Sequence, residues 1–582
     1  MQNLAAATAA AAAASAALLL AVPALAGDRV GDPAFQTRSP VLAQNGMAAT
    51  AQPLATQAAL DILKAGGSAV DAAIAANAVL GLVEPVGNGI GGDLFALVWD
   101  PKTRALAGLD ASGFAPAGTD VAAIRRRNTS GTIGPAGLDS VTVPGAVAGW
   151  DALHRKYGKL PFATLLQPAI RLAREGFPVS PIIARQWATN LARFEERKSA
   201  IARFDLATQL YAPAGRAPGA GEIFRNPDLA DTLEIVGRDG AAGFYAGFTA
   251  AAIDTHMRSV GGSMRAGDLA AMQAEWVAPI SAPYRGHVVW QMPPATQGVA
   301  TLQILRMVER FDVKSMGFGS ADHVHLMVEA KKLAFADRAK FIADPRLVPV
   351  PVKGLLSDAY TAERAALIRM DKANPDTMPA GDPGERSDTT YLATADRDGM
   401  MVSLIQSNYR GMGSGIVAAR PGGKTLGFMF QNRGAQFSLD PAAANVIAPM
   451  KRPFHTIIPG FVTRDGDAWA ALGVMGGSMQ PQGQAQVIVN MIDFGMDVQQ
   501  AGDAPRFRHS GGADPGDGVE APALFLESQI SAATRAELQQ RGHVLKSTRD
   551  DVGGYQAIRR DPVNRVYWGG SDMRKDGQAA GF

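Results

Sequence analysis

Apolar positions between residues 52 and 83 recur at helical spacing and break once. Gln57-Ala58-Ala59-Leu60-Asp61-Ile62-Leu63-Lys64 reads as a helix that stops at Gly66-Gly67, because glycine past the last turn ends a helix without steric cost. Ser68 can cap a second helix, in which Ala72 to Val83 is rich in Ala and Leu. The pattern then changes. Gly87-Asn88-Gly89-Ile90-Gly91-Gly92 leads into Leu94-Phe95-Ala96-Leu97-Val98-Trp99, a continuous apolar run of the kind a buried strand shows. Residues 140–235 read as mostly helical with Pro and Gly punctuation, and residues 321–343 as one long amphipathic helix. Residues 370–388, rich in Pro, Gly, Asp and Ser, predict an exposed loop. Two strand-like runs follow, Thr390–Ala395 and Met401–Gln406, around Asp398-Gly399, which is a hairpin signal.

Two of these segments look like ligand motifs, and spacing argues against both. The glycine run matches G-x-G-x-x-G, but a dinucleotide fingerprint follows a strand and opens a helix. Here the order is helix, glycines, strand, so a tight turn with close backbone approach is expected. His323 and His325 are two positions apart on the long helix, which places them on different faces. They are expected to be structural, and the 8 histidines contain no H-E-x-x-H or other metal spacing. Neither a metal nor a cofactor is expected.

Composition narrows the classes. The chain has 582 residues, 47% of them hydrophobic and 19% charged, which is globular rather than disordered. A net charge of +2 gives no electrostatic case for nucleic acid. The absence of cysteine excludes disulfides, thiolate metal sites and a cysteine nucleophile. Residues 2–26 are nearly all Ala, Leu and Val and end Pro23-Ala24-Leu25-Ala26 before Gly27. Small residues at 24 and 26 suit secretory cleavage after Ala26. The basic leader of such a signal is missing, and the other reading is an uncleaved anchor, weakened by Ala and by Pro23. A periplasmic or secreted protein, free of the membrane after signal removal, is expected.

Thr389 is the main chemical candidate. The mobile-looking leader ends at Asp388 and feeds directly into Thr389-Thr390 at the head of the hairpin. A hydroxyl residue freed there as a new N-terminus would hold its nucleophile in the side chain and its base in the α-amine. Local pattern alone favours an ordinary loop and hairpin, since threonine is common in strands.

Several segments together resemble the γ-glutamyltranspeptidase family, including its acylase-like members. The resemblance runs from about Ala43 to near the C-terminus. It rests on Gly66-Gly67-Ser68-Ala69-Val70-Asp71-Ala72-Ala73, Gly89-Ile90-Gly91-Gly92, the Ala321–Pro345 segment, Asp388-Thr389-Thr390, Lys451-Arg452-Pro453 and Gly476-Gly477-Ser478, in that order. It implies an N-terminal-nucleophile hydrolase of α+β class with a four-layer αββα sandwich. It further implies a precursor that cuts itself between Asp388 and Thr389 into a large subunit, 27–388, and a small catalytic one, 389–582, which stay together as one intertwined fold. Thr389 would attack a small-molecule amide and form an acyl-enzyme, with its α-amine (pKa about 7.7–8.0) as base. Gly476 and Gly477 match the pair whose backbone N–H groups hold the oxyanion. Ser407 matches the second hydroxyl residue, which hydrogen-bonds the nucleophile.

The chain departs from the family around the substrate head group. Ser112 stands where γ-glutamyl-specific members have an arginine for the α-carboxylate, and Gln436 stands where they have an acid for the α-amine. Tyr409 replaces an asparagine, His455-Thr456 replaces a hydroxyl pair, and Arg433 replaces a frequent glutamine and could bind a carboxylate bidentately. Loss of two charge-assisted contacts would cost roughly 3–6 kcal/mol. The segment Leu439–Met450 is roughly ten residues shorter than in lidded members, which points to an open site favouring water as acceptor. The expected activity is hydrolysis or transfer of γ-glutamyl amides such as glutathione. The alternative within the family is a glutaryl- or cephalosporin-type acylase. A non-catalytic exported binding protein and a serine hydrolase using Ser407 with a histidine are the rivals, although no G-x-S-x-G frames Ser407.

Overall fold

Successive side chains of the strand Asp93–Asp100 pack into different layers. Leu94, Ala96 and Val98 join a cluster of helical residues that includes Ala72, Val79 and Trp150. Phe95, Leu97 and Trp99 join a second cluster with Phe461, Ala470 and Leu472 from another sheet, and Trp99 stacks on Phe461 with centroids 6.2 Å apart. A strand buried on both faces needs no polar alternation, which is why its sequence is a continuous apolar run.

The computed structural model describes residues 32–376, 378–382, 393–512, 521–548 and 552–582. The expected signal segment and the Asp388–Thr389 junction lie outside the described residues. Two seven-stranded antiparallel sheets pack face to face. One runs Val41–Ala43, Val566–Ser571, Tyr555–Asp561, Asp467–Val474, Gly460–Arg464, His287–Gln291, Ile280–Tyr284. The other runs Gln578–Gly581, Gly46–Thr50, Ala393–Asp396, Met401–Ser407, Asp93–Asp100, Ala105–Ala111, Glu275–Val277. Helices Ala69–Val83 and Ala146–Tyr157 cover the outer face of the second sheet, and Gly298–Val308 and Met479–Ile492 cover the first. This is the α+β, four-layer αββα sandwich that the resemblance implied. Both sheets mix strands from before residue 377 with strands from after residue 392.

The local expectations hold with shifts. The first two helices span Pro53–Lys64 and Ala69–Val83. The second begins at Ala69 because Ser68 and Asp71 form a reciprocal capping box. Residues 140–235 contain helices at Ala146–Tyr157, Phe162–Glu175, Pro181–Glu196, Phe204–Tyr211 and Pro227–Asp239. The hairpin is Ala393–Asp396 with Met401–Ser407, turning at Gly399 with φ +92°. The helix Ala321–Phe341 is not the amphipathic surface helix its charges suggest. It is buried nearly all round, and its charges are paired inside: Lys332 Nζ lies 2.9 Å from Glu329, and Asp337 accepts from Gln303 Nε2 at 2.9 Å and Gly381 N–H at 3.0 Å.

Candidate active site

The strand Met401–Ser407 delivers Ser407 to the edge of a cavity of about 170 Å³. Ser407, Tyr409, Thr456, Gly476, Gly477, Glu84 and Lys575 all face it. The glycine turn before Asp93 holds this end of the strand in place. Gly89 N–H donates to Gln406 Oε1 at 2.9 Å, Asn408 N–H donates to Gly87 O at 3.1 Å, and Asn408 Nδ2 donates to Asn88 O at 3.0 Å. A Cβ on Gly91 would sit 2.2 Å from Met429 O, and one on Gly92 would sit 2.4 Å from Ser407 O. The turn is therefore a backbone brace, as its order in the sequence indicated, and glycine is required for the approach.

Gly476 and Gly477 link the strand Asp467–Val474 to the helix Met479–Ile492. Their φ values, +120° and +58°, lie where side chains are disfavoured. Among the described residues neither N–H has an acceptor. The carbonyl of Gly477 is fixed by Gln297 Nε2 at 3.0 Å, and that amide also donates to Thr456 O. Arg338, buried in the long helix, donates in turn to Gln297 Oε1. Gln297 and Arg338 thus orient the glycine pair, and no local sequence signal marks either of them.

On the opposite wall Tyr409 follows Ser407 in the left-handed region, φ +78°. Its N–H donates to Ser407 Oγ at 2.8 Å. Gln436 Nε2 donates to the Tyr409 hydroxyl. The Arg433 guanidinium lies 4.8 Å from the Tyr409 ring centroid and donates from Nη1 to Thr456 Oγ1 at 3.1 Å. Arg433 is fully buried, and among the described residues its Nε and Nη2 have no hydrogen-bond partner. Arg433 and Gln436 therefore sit behind Tyr409 and Thr456 rather than on the cavity wall.

Arg433 is balanced by Asp93, the strand residue directly opposite Ser407. Burial pushes the Asp93 carboxyl up to about 7, although Arg433, Gln431 and the Gly113 N–H pull it back down. Burial also pushes Arg433 down to about 10. His455 Nε2 lies 3.6 Å from Asp93 Oδ2, yet this is no ion pair. Burial, with Arg433 and Arg452 nearby, keeps His455 neutral, and its ring packs edge-on to Phe95. At neutral pH the buried group is thus a full cation against a carboxylate that is only partly ionised.

Ser112 is turned away from the cavity. Its hydroxyl donates to Asp110 Oδ1 at 2.6 Å, and Asp110 Oδ2 accepts from Arg452 Nη1 at 3.0 Å. The Lys451-Arg452-Pro453 motif is therefore a structural brace. The short segment after Phe437-Ser438 folds back on itself: Asn445 Nδ2 donates to Gln436 O at 2.7 Å, and Leu439 and Ile447 pack on Phe437 and Ala115. None of residues 439–450 faces the cavity. Among the described residues no histidine is bonded to Ser407 Oγ, so the serine–histidine reading gains nothing. The sequence reading also missed Glu84 and Lys575, whose groups meet at 3.3 Å on the cavity wall. Burial raises the Glu84 carboxyl even so.

The family model for γ-glutamyltranspeptidase matches residues 55–582. This chain belongs to the γ-glutamyltranspeptidase family. A glutathione hydrolase-like proenzyme, YwrD, of Bacillus subtilis is 36% identical over 93% of this chain and 99% of its own length. The glutathione hydrolase proenzyme of Escherichia coli is 34% identical over 93% of each. The crystal structure of cephalosporin acylase from Bacillus halodurans superposes with a TM-score of 0.86 at 41% identity, covering 95% of this chain and 99% of that one. Membership makes the chain an enzyme, an amidohydrolase of the glutathione hydrolase and acylase kind. Within this γ-glutamyltranspeptidase-family chain, no described helix is long and apolar enough to cross a membrane.

Proposed function

We propose that the chain is an exported, self-processing amide hydrolase whose nucleophile is Thr389, and that it prefers acyl groups bearing a carboxylate but no α-amine, as in glutaryl amides. One convergence carries this reading: Ser407 and two backbone N–H donors, from Gly476 and Gly477, that have no acceptor among the described residues meet at one cavity. Sequence counting supports Thr389 as their partner. Ala393 pairs with Ser403; four residues back from Ala393 is Thr389, and four on from Ser403 is Ser407.

In the precursor the Thr389 hydroxyl attacks the Asp388 carbonyl. The acyl group moves from nitrogen to oxygen, and water cleaves the ester, leaving subunits 27–388 and 389–582. The free α-amine then takes the hydroxyl proton as Thr389 attacks the substrate amide. The glycine N–H pair receives the oxyanion, a role in which one donor is typically worth about 2.7–4 kcal/mol. The α-amine returns its proton to the leaving amine, and water releases the acid.

The preference for a carboxylate follows from the partly balanced Arg433 charge behind Thr456 and Tyr409, which attracts an anion and repels an ammonium. Gln436, engaged by Tyr409, offers no charge to an α-amine. The γ-glutamyl reading has one observation in its favour: Glu84 and Lys575 place an anion and a cation on the cavity wall, which suits an amino-acid head group.

Thr389→Ala should leave a single uncut chain on a denaturing gel and abolish turnover. Normal processing in that variant refutes the nucleophile, and an uncut, inactive wild type favours the non-catalytic rival. Glutaryl-p-nitroanilide should be turned over with the higher kcat/KM, and a strong preference for γ-glutamyl-p-nitroanilide would move the assignment to the glutathione-type substrate.

A further inference from the structure

Away from the active site, the long helix Ala321–Phe341 places His325 and Glu329 one turn apart, and the turn after the helix Ala532–Gln540 brings His543 against them. We propose that His325 Nδ1, His543 Nε2 and a Glu329 carboxylate oxygen form a binding site for a divalent transition cation of the zinc class. The three ligand atoms lie within 4.8 Å of one another and all three residues are buried. The sequence reading weighed His325 against His323, its wrong partner. The partners are four residues along the helix and more than two hundred residues away.

The surroundings orient each group for coordination. His325 Nε2 is 2.8 Å from the Arg369 carbonyl, so it carries the proton, and the Nδ1 lone pair faces His543 Nε2, from which it accepts. An outer hydrogen bond of this kind fixes the tautomer of metal-binding histidines. His325 Nδ1 and His543 Nε2 are 2.7 Å apart. Two nitrogen ligands on a tetrahedral ion at about 2.0–2.1 Å would stand about 3.3 Å apart, an opening of about 0.6 Å. His543 lies in a turn next to the exposed Val544, where such a shift is easily accommodated. Glu329 Oε2 accepts from Asn374 N–H at 3.0 Å. Glu329 Oε1 is ion-paired with Lys332 Nζ at 2.9 Å and, among the described residues, accepts no hydrogen bond. Lys332 has other partners, the Asn374 carbonyl at 2.8 Å and Asp376 Oδ1 at 3.4 Å, and can keep them when a cation takes the carboxylate.

Neutral imidazole and carboxylate suit zinc and its neighbours better than calcium or magnesium. A cavity of about 370 Å³ borders His543 and has Asp376 and His509 on its wall together with the cations Lys332, Arg369, Lys372 and Arg541; it leaves room for a fourth, water ligand on the His543 side. On binding, the proton between the two imidazoles moves from His543 Nε2 to its Nδ1. The residues also divide meaningfully: if the chain is cut before Thr389 as proposed above, two ligands belong to the large subunit and His543 to the small one. The ion would then join the two products.

The test uses tag-free full-chain protein, stripped with a chelator and titrated with Zn2+ alone by calorimetry. One equivalent should bind per chain. His543→Ala should weaken it by more than about 100-fold, since loss of an outer partner alone costs about 10–100-fold. Glu329→Gln, close in shape, should also weaken it. Co2+ added to the wild type should give the intense visible bands of a four-coordinate N/O site. Absence of a saturable equivalent, unchanged affinity in His543→Ala, or a weak six-coordinate cobalt spectrum overturns the site. Binding does not depend on cleavage, so the gel that tests Thr389 fails or succeeds separately.

Discussion

Asp93 makes a quantitative prediction about pH. Its carboxyl titrates near 7 in the folded chain, against 3.8 for an ordinary aspartate. Between these values the folded chain holds a proton that the unfolded chain has lost, so stability falls as pH rises and levels off above about 7. The loss is about 1.4 kcal/mol per pH unit well below pH 7 and flattens near it, or roughly 2 kcal/mol between pH 5 and pH 7. Asp93→Asn keeps an Oδ1 acceptor for Gly113 N–H and Gln431 Nε2, now at 2.7 and 2.8 Å, and removes the titration. Arg433, pushed down only to about 10, stays charged throughout this range, so its lost partner costs the variant the same at each pH. Urea unfolding of both proteins at pH 5 and pH 8 checks this. Other buried groups, His455 among them, titrate in both proteins, so the informative quantity is the difference between them. The wild type should lose roughly 3 kcal/mol more than the variant between the two pH values. Equal losses would refute the claim that Asp93 is a half-ionised carboxylate behind the site.

Gly476→Ala forces a side chain onto φ +120° and turns one oxyanion donor, so kcat should fall about 10²–10³-fold in steady-state assays; a loss below tenfold would remove Gly476 from that role. Tyr409→Asn tolerates the left-handed backbone and uncovers Arg433, so KM for a glutaryl amide should fall several-fold with kcat little changed. Arg452→Met breaks the buried pair with Asp110 and should cost about 3–5 kcal/mol, read as a lower denaturant midpoint with little change in KM.

Local pattern revealed much of the scaffold. The Ser68 cap, the buried strand after the glycines and the hairpin at Gly399 depend on near neighbours, which the sequence displays directly. The long helix was misread as amphipathic because its Lys331, Lys332, Asp337 and Arg338 pair inside the protein with groups distant in sequence. The same holds at the site. Ser407 and the glycine pair could be placed from order and motif. The Arg433–Asp93 balance, the Gln297–Arg338 support and the Glu84–Lys575 wall come from elements that meet only after folding. Ser112 was expected beside the substrate head group, but Asp110, two residues before it, takes its hydroxyl.

The interleaved sheets carry a consequence for the life of the molecule. Gly46–Thr50 is hydrogen-bonded between Gln578–Gly581 and Ala393–Asp396, and His287–Gln291 borders Gly460–Arg464. If the chain is cut before Thr389 as proposed, neither product can leave without tearing ladders out of both sheets, and neither contains a complete sheet on its own. On that proposal assembly is accomplished once, by a continuous chain, and the cut removes the tether that made it possible. The mature molecule should then endure through a high barrier to falling apart rather than through a reversible equilibrium, and after full denaturation it should not reassemble.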